Sequence, residues 1–347
     1  MKYLKLYENF IQTDSEIHKL CKKYKIKNYT INNGLVDVDG NVDLSDKKLS
    51  KLPIKFGVII GYFSCDDNQL TSLEGGPQKV GGNFYCDNNQ LTSLDGAPIK
   101  VGGDFNCNTN QLTSLKGGPQ KVGGDFYCNT NQLTSLKGGP QEVGGRFNCY
   151  NNQLTSLEGA PKEVGGWFYC NNNKLTSLEG APQKVDGNFN CSHNQLTSLD
   201  GAPQEVGGNF YCNNNQLTSL EGGPQEVGNT FDCDNNQLTS LDGCPQEVGG
   251  NFYCSSNNIY RLDFIPNYTE GFHIKDNPFF NVWKLIEDSI EKDYTLFDHF
   301  LENNIFRDPG YQGDTTRLPI IILDRLNDFL DICKLPNVEE VEGYTCI

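Results

Sequence analysis

Cysteine is the residue whose spacing most invites chemistry in this chain: ten of them, at 65, 86, 107, 128, 149, 170, 191, 212, 233 and 254, follow one another at steps of 21. Thiols at fixed intervals could close disulfides, hold a metal or act as nucleophiles. Each of these uses demands a geometry that the spacing denies. If successive copies stack as parallel strands, neighbouring thiols lie side by side at about the strand spacing of ~4.8 Å. A disulfide needs Cβ atoms that converge to about 3.8 Å, and tetrahedral zinc needs ligands that approach from several directions. No C-x-x-C pair occurs. The expectation is therefore a row of buried, reduced thiols that pack as small apolar residues.

The remaining reactive residues are sparse. Of the four histidines, His18, His193, His273 and His299, none falls in an H-E-x-x-H motif; G-x-S-x-G and a phosphate loop ending in Gly-Lys-Ser/Thr are both missing. Cys244 replaces the small residue of a Gly-Gly-Pro or Gly-Ala-Pro bend, and Cys21, Cys333 and Cys346 are solitary. No segment supplies the closely spaced acidic ligands of a calcium loop. The expectation is a protein that is not an enzyme, with no catalytic residue, metal or cofactor.

The elements that must position the cysteines are written in the same period. Phe stands two residues before each Cys (Phe63 to Phe252), Asn three after (Asn68 to Asn257), and Leu five after, with Ile259 last. Phe and Cys, two apart, face the same side of a strand. The Asn amide turns inward to satisfy backbone groups of a bend repeated on every coil. The return stretch, such as "EGGPQKV", contains glycines and a proline, which excludes an α-helix there.

This F-x-C-x-x-N-x-L-x-x-L pattern resembles the leucine-rich repeat of the short bacterial type, with Phe and Cys where Leu is usual. The resemblance covers about residues 42 to 278. It implies a mainly β repeat solenoid with a parallel sheet on one face, turns and extended segments on the other, and helical caps at both ends. Some bacterial repeat proteins of similar type carry an appended ubiquitin-ligase domain. Cys333 is the only candidate nucleophile of that kind here, and the tail around it is too short and lacks a nearby His.

The expected organisation is an N-terminal helical and hairpin cap over residues 1–41, about twelve coils over 42–278, and a C-terminal helical cap over 279–347. Residues 4 to 24 read as helical, and "YTINNGLVDV" reads as a hairpin turning at Asn33-Gly34. Degenerate coils close the array: Val42, Leu44, Leu49 and Leu52 keep the apolar positions while Lys47 replaces Asn, and "FHIKDNP" repeats the pattern one residue early. In the tail, Val282, Leu285, Ile286 and Ile290, then Ile322, Leu326, Phe329, Leu330 and Cys333, recur at helical spacing, with a further short helix expected from Leu296 to Ile305.

A formal charge of −16 bounds the partners. Residues 58–271 hold 10 basic and 22 acidic side chains. Such a surface repels nucleic acid phosphates and anionic membranes and favours a basic protein partner. The N-terminus lacks the unbroken apolar run of a secretion signal, so a cytoplasmic location is expected. The "MKYLKLYENF" lead, the Asn- and Cys-rich coils and the short helical tail are also similar to repeat proteins of large tailed bacteriophages. That resemblance implies a host factor, including a defence protein, as partner.

The outward positions of the strands are where a partner would meet this surface. The residue between Phe and Cys alternates, with Tyr85, Tyr127, Tyr169, Tyr211 and Tyr253 on every second coil; duplication in 42-residue pairs would produce the same alternation without a binding role. Departures from the repeat are sharper. Arg146 and Trp167 stand where Asn or Asp is usual, Tyr150 replaces a small polar residue, and His193 is unique at its position. Arg, Trp and Tyr are enriched at interface hot spots. The candidate partner-binding residues are Arg146, Tyr150, Trp167, Tyr169 and His193, flanked by Tyr127 and Tyr211. Rows of carboxylates around them leave a second reading open, an acidic mimic of nucleic acid that occupies the basic groove of a nucleic-acid enzyme.

Overall fold

The computed structural model describes residues 12–260, 262, 265–290, 306–307, 320–321, 323–342 and 344–346. The chain divides into two compact units, Met1–Lys174 with Gly180–Val185, and Leu175–Glu179 with Asp186–Ile347. Each is a run of the same coil. In the first unit, two-residue strands from Val42–Asp43 to Phe168–Tyr169 pair in parallel with Phe opposite Phe, for example Phe105 with Phe126 and Phe126 with Phe147. In the second, the same ladder runs from Phe189–Asn190 to Phe272–His273.

The interior is a stack of identical rungs. From Phe63 to Phe168 the rings lie 5.2–5.4 Å apart and within 13° of parallel. From Phe189 to Phe272 the spacing is 5.2–5.7 Å. Phe, Cys and both leucines of each regular coil are fully buried. Stacked aromatic pairs add about 0.5–1.5 kcal/mol each beyond the area they bury, so every coil stabilises its neighbours more than itself.

The return side is more regular than the sequence implies. Within the expected turns and extended segments, Lys79–Val80 and its copies form a second parallel ladder, with Val122 opposite Val101 and Val143 in the first unit and Val227 opposite Val206 and Val248 in the second. The charged residue of each strand faces solvent and the valine is buried. Two residues are too few to show a strand period, which hides this ladder in the sequence.

Two glycines show how a coil closes. Gly138 adopts φ 87° in the bend before Pro140, a conformation that L side chains avoid. A Cβ on Gly123 would lie 2.2 Å from the Gly102 carbonyl of the preceding coil, so backbone packs on backbone there.

The first unit opens with α1 (Asp14–Lys23), whose Thr13 and Glu16 form a reciprocal capping box. Ile17 and Cys21 turn its buried face inward. The hairpin Tyr29–Asn32 with Leu35–Val38 follows, turning at Asn33 and Gly34 with positive φ at both, and its second strand starts the valine ladder. The second unit ends on α2 (Pro278–Ile290), which buries Phe279, Val282, Trp283 and Ile286; Trp283 meets Phe272 at 5.9 Å. Further on, α3 (Leu323–Ile332) buries Leu326, Phe329 and Leu330. Thr345–Cys346 pairs in parallel with Ile320–Ile321, which pairs antiparallel with Phe306–Arg307. The expected helix over Leu296–Ile305, the helical reading of residues 4–11, and Ile322 lie outside the described residues.

Candidate protein interface

The site begins with the hydrogen bonds that hold the rungs in register. Asn131 shows the inward amide: Nδ2 donates to the carbonyls of Cys107 and Cys128 at 3.1 Å and of Asn129 at 3.3 Å, while Oδ1 accepts from the Leu112 N–H at 3.1 Å. One side chain thus closes a bend and ties two coils. The residue before it, Thr130, takes a left-handed φ of 55°, as do its counterparts in every coil; this suits the Asn, Asp and His found there, while the β-branched Thr109 and Thr130 adopt it against their preference.

A second chain of side-chain oxygens runs outside the phenylalanines. Asn83 accepts from Asp104 N–H at 2.9 Å, Asp104 from Asp125 N–H at 2.9 Å, and Asp125 from Arg146 N–H at 2.7 Å. Arg146 and Trp167 have no side-chain acceptor and cannot extend it. A third set explains the Tyr and Asn alternation. Asn106 and Asn148 accept from the N–H two residues on, at 3.1 and 3.2 Å, whereas in a Tyr coil the equivalent Asn129 N–H is served by Asn108 of the coil before, at 2.8 Å. Tyr150 occupies the Asn108 position and carries no short amide for that task.

At Arg146 the lost acceptors are exchanged for an aromatic cluster. Its guanidinium carbon lies 3.9 Å from the Trp167 ring centroid, and Trp167 meets Tyr169 edge-on at 5.8 Å. Arg146 Nε stands 4.0 Å from Asp125 Oδ2, and the Tyr127 hydroxyl donates to the same oxygen at 2.6 Å. Burial, with the Asp125 carboxylate beside it, pushes the Tyr127 phenol up to about 12. Arg146 remains exposed and Trp167 half-buried.

Four of the seven residues selected from sequence, Arg146, Trp167, Tyr169 and Tyr127, therefore form one connected group through Asp125. Tyr150 sits half-buried in the Arg146 coil with its N–H on Asn148. His193 and Tyr211 belong to the second unit. His193 has φ 53° and is exposed, with Nε2 3.4 Å from Asn214 Nδ2; the Tyr211 carbonyl accepts from the Cys191 N–H and thiol at 2.9 and 3.4 Å.

Two features escaped the sequence reading. Asp43, Ser45, Tyr62, Ser64, Asp66, Tyr85, Asp87 and Asn106 line an open depression at the start of the first unit's phenylalanine ladder. Burial raises Asp87 there to about 6, with the charges of Asp66 and Asp67 acting the same way. In the second unit His273 stacks on Tyr253 at 4.3 Å and 10°. Both occupy the position between Phe and the next inward residue, a signal blurred because the last coil is one residue short.

The ladder thiols are buried, and desolvation holds those of Cys65, Cys86, Cys107, Cys128, Cys149, Cys191, Cys212, Cys233 and Cys254 far above the ordinary thiol range. Several donate to the next coil, as Cys149 does to the Tyr169 carbonyl at 3.2 Å. Among the described residues, no group of three or more His, Cys, Asp or Glu side chains is placed to hold a metal ion, and no helix is long and apolar enough to cross a membrane.

No protein-family model matches the chain, and no curated protein matches it. Solved structures do. YopM from Yersinia enterocolitica is similar over 68% of this chain and 64% of its own, at 16% identity and TM-score 0.40. YopM from Yersinia pestis, a leucine-rich effector protein, is similar over 69% and 83%, at 17% and 0.40. The functional domain of InlJ from Listeria monocytogenes, which includes a cysteine ladder, is similar over 68% and 63%, at 20% and 0.42. The chain thus spans less than two thirds of the first YopM and of InlJ. Likenesses at 16–20% identity with TM-scores of 0.40–0.42 assign neither a family nor a function.

Proposed function

We propose that this chain is a non-enzymatic scaffold that binds a basic protein partner through the outward face of the phenylalanine ladder. The carrying observation is the Arg146–Trp167 stack at 3.9 Å. Arg146, Trp167 and Tyr150 each replace a residue whose side-chain oxygen links coils elsewhere, at a cost of about 1 kcal/mol per bond. An exposed cation–π pair returns only about 0.5–1 kcal/mol. The exchange gains little for the fold and presents a pre-ordered aromatic anchor to a partner.

Acidic side chains flank the anchor, with Asp104 and Asp125 beside it, and the net charge of −16 favours a cationic partner. Tyr150 extends the proposed surface within the first unit, and His193 and Tyr211 are proposed contacts on the second. The likeness of the lead and coils to tailed-phage proteins supports a role in a host cytoplasm, against a host or defence factor.

The test is capture of partners from host lysate with wild-type protein and with the Arg146→Asn/Trp167→Asn double variant. Proteins retained by the wild type through a high-salt wash and lost from the variant support the reading; identical capture removes it. The acidic-mimic reading draws on the depression lined by Asp43, Asp66 and Asp87. It predicts capture of a nucleic-acid enzyme that fails steeply with salt and ignores the double variant.

A further inference from the structure

From Lys79 to Glu247 the exposed residue of the valine ladder is charged, and like signs come in runs at its two ends, beyond which Asn267 ends the row. In the first unit Lys79, Lys100 and Lys121 stand in register on adjacent strands. In the second, Glu205, Glu226 and Glu247 do the same. All six are exposed. Like charges directly opposite one another on neighbouring strands destabilise a sheet, whereas alternating signs would give an ion pair at each step. Lys121 and Glu142 show that such a pair forms when the signs differ. Among the described residues, none of Lys79, Lys100, Glu226 and Glu247 has an opposite charge within ion-pair distance.

The strip beside these charges is bare. Gly81, Gly102 and Gly123 in the first unit and Gly207, Gly228 and Gly249 in the second are exposed. A Cβ on Gly102, Gly123, Gly228 or Gly249 would come within 2.0–2.3 Å of the preceding coil's carbonyl, so no side chain rises there. A charged row next to a flush backbone offers a second surface close approach. Two rows with the same strand spacing and opposite sign match tooth for tooth.

Read in steps of 21, the position runs Lys79, Lys100, Lys121, Glu142, Glu163, Lys184, Glu205, Glu226, Glu247. Laid antiparallel, the lysine triplet of the first unit meets the glutamate triplet of the second with opposite signs at each position. We propose that the chain pairs with a second copy of itself, the lysine row of one copy lying antiparallel on the glutamate row of the other, Lys79 with Glu247, Lys100 with Glu226 and Lys121 with Glu205. Each copy carries both rows, so a second copy can return the contact with its own lysine row. In this contact the lysines neutralise carboxylates of the second copy. The inference is independent of the Arg146 surface.

Sedimentation of the full chain at low and high salt tests this. The wild type should sediment as a dimer at low salt and shift toward monomer at high salt. Lys79→Glu/Lys100→Glu/Lys121→Glu should be monomeric, and Glu205→Lys/Glu226→Lys/Glu247→Lys should be monomeric too. Mixed in equal amounts, the two variants should form a heterodimer, which also shows that both are folded. A wild-type monomer at low salt, a dimer that survives either triple reversal, or folded variants that fail to pair when mixed would each overturn the proposal.

Discussion

Asn131 makes four hydrogen bonds with one amide, to the carbonyls of Cys107, Cys128 and Asn129 and from the Leu112 N–H; the Asn129 carbonyl also accepts from the Thr109 N–H at 3.2 Å. Replacing Asn131 by Ala removes the amide partner of the Cys107 and Cys128 carbonyls and of the Leu112 N–H in a half-buried bend, at about 1–3 kcal/mol for each well-buried group left unsatisfied. Asn131→Ala is therefore expected to lower unfolding stability by about 2–4 kcal/mol, measured by urea denaturation. An effect no larger than that of an exposed substitution would contradict the inward amide. Asp87 acts in the other direction. Its folded pKa of about 6 lies above the 3.8 of an ordinary aspartate. Its proton-linked stabilisation is thus complete below that value and is lost as pH rises through about 6. Asp87→Asn, neutral throughout, should raise the melting temperature at pH 7.5, by about 1 kcal/mol of stability after allowance for its exposure, and match the wild type near pH 3. Equal gains at both pH values would show that its charge is not the cause.

At the scale of the element, the 21-residue period makes the phenylalanine ladder, the inward Asn and the buried thiols legible before any coordinates. Phe and Cys must share a face, and a linear row of thiols must be inert. The valine ladder is harder to see because Lys79–Val80 is a strand only by virtue of its neighbours. The Arg146, Trp167 and Tyr150 departures stand out by residue type, yet their common meaning, three hydrogen-bond acceptors given up, depends on bonds such as Asp125 to Arg146 N–H that no spacing reveals. Those bonds also give the double variant a signature. Asn at 146 restores an acceptor for the next coil while the cation–π pair is lost, two effects of about 1 kcal/mol each. Arg146→Asn/Trp167→Asn should melt within a few degrees of the wild type while losing partner capture. A large loss of stability would assign the stack to the fold and not to recognition.

For the whole molecule, stability is a sum over coils and their interfaces, and both units depend on the same interior. Rings and thiols fill that interior, and polar side chains emerge along the strands. Thiol titration of the native chain addresses this directly, because 14 cysteines report on it at once. Cys333 and Cys346, partly exposed, should react first; Cys244, partly exposed in its bend but with its thiol pushed up to about 12, should lag. Cys21 and the ten ladder thiols, all buried, should stay silent until denaturant is added, when all 14 react. Rapid reaction of the ladder thiols in the folded protein would contradict the stacked interior and every surface derived from it.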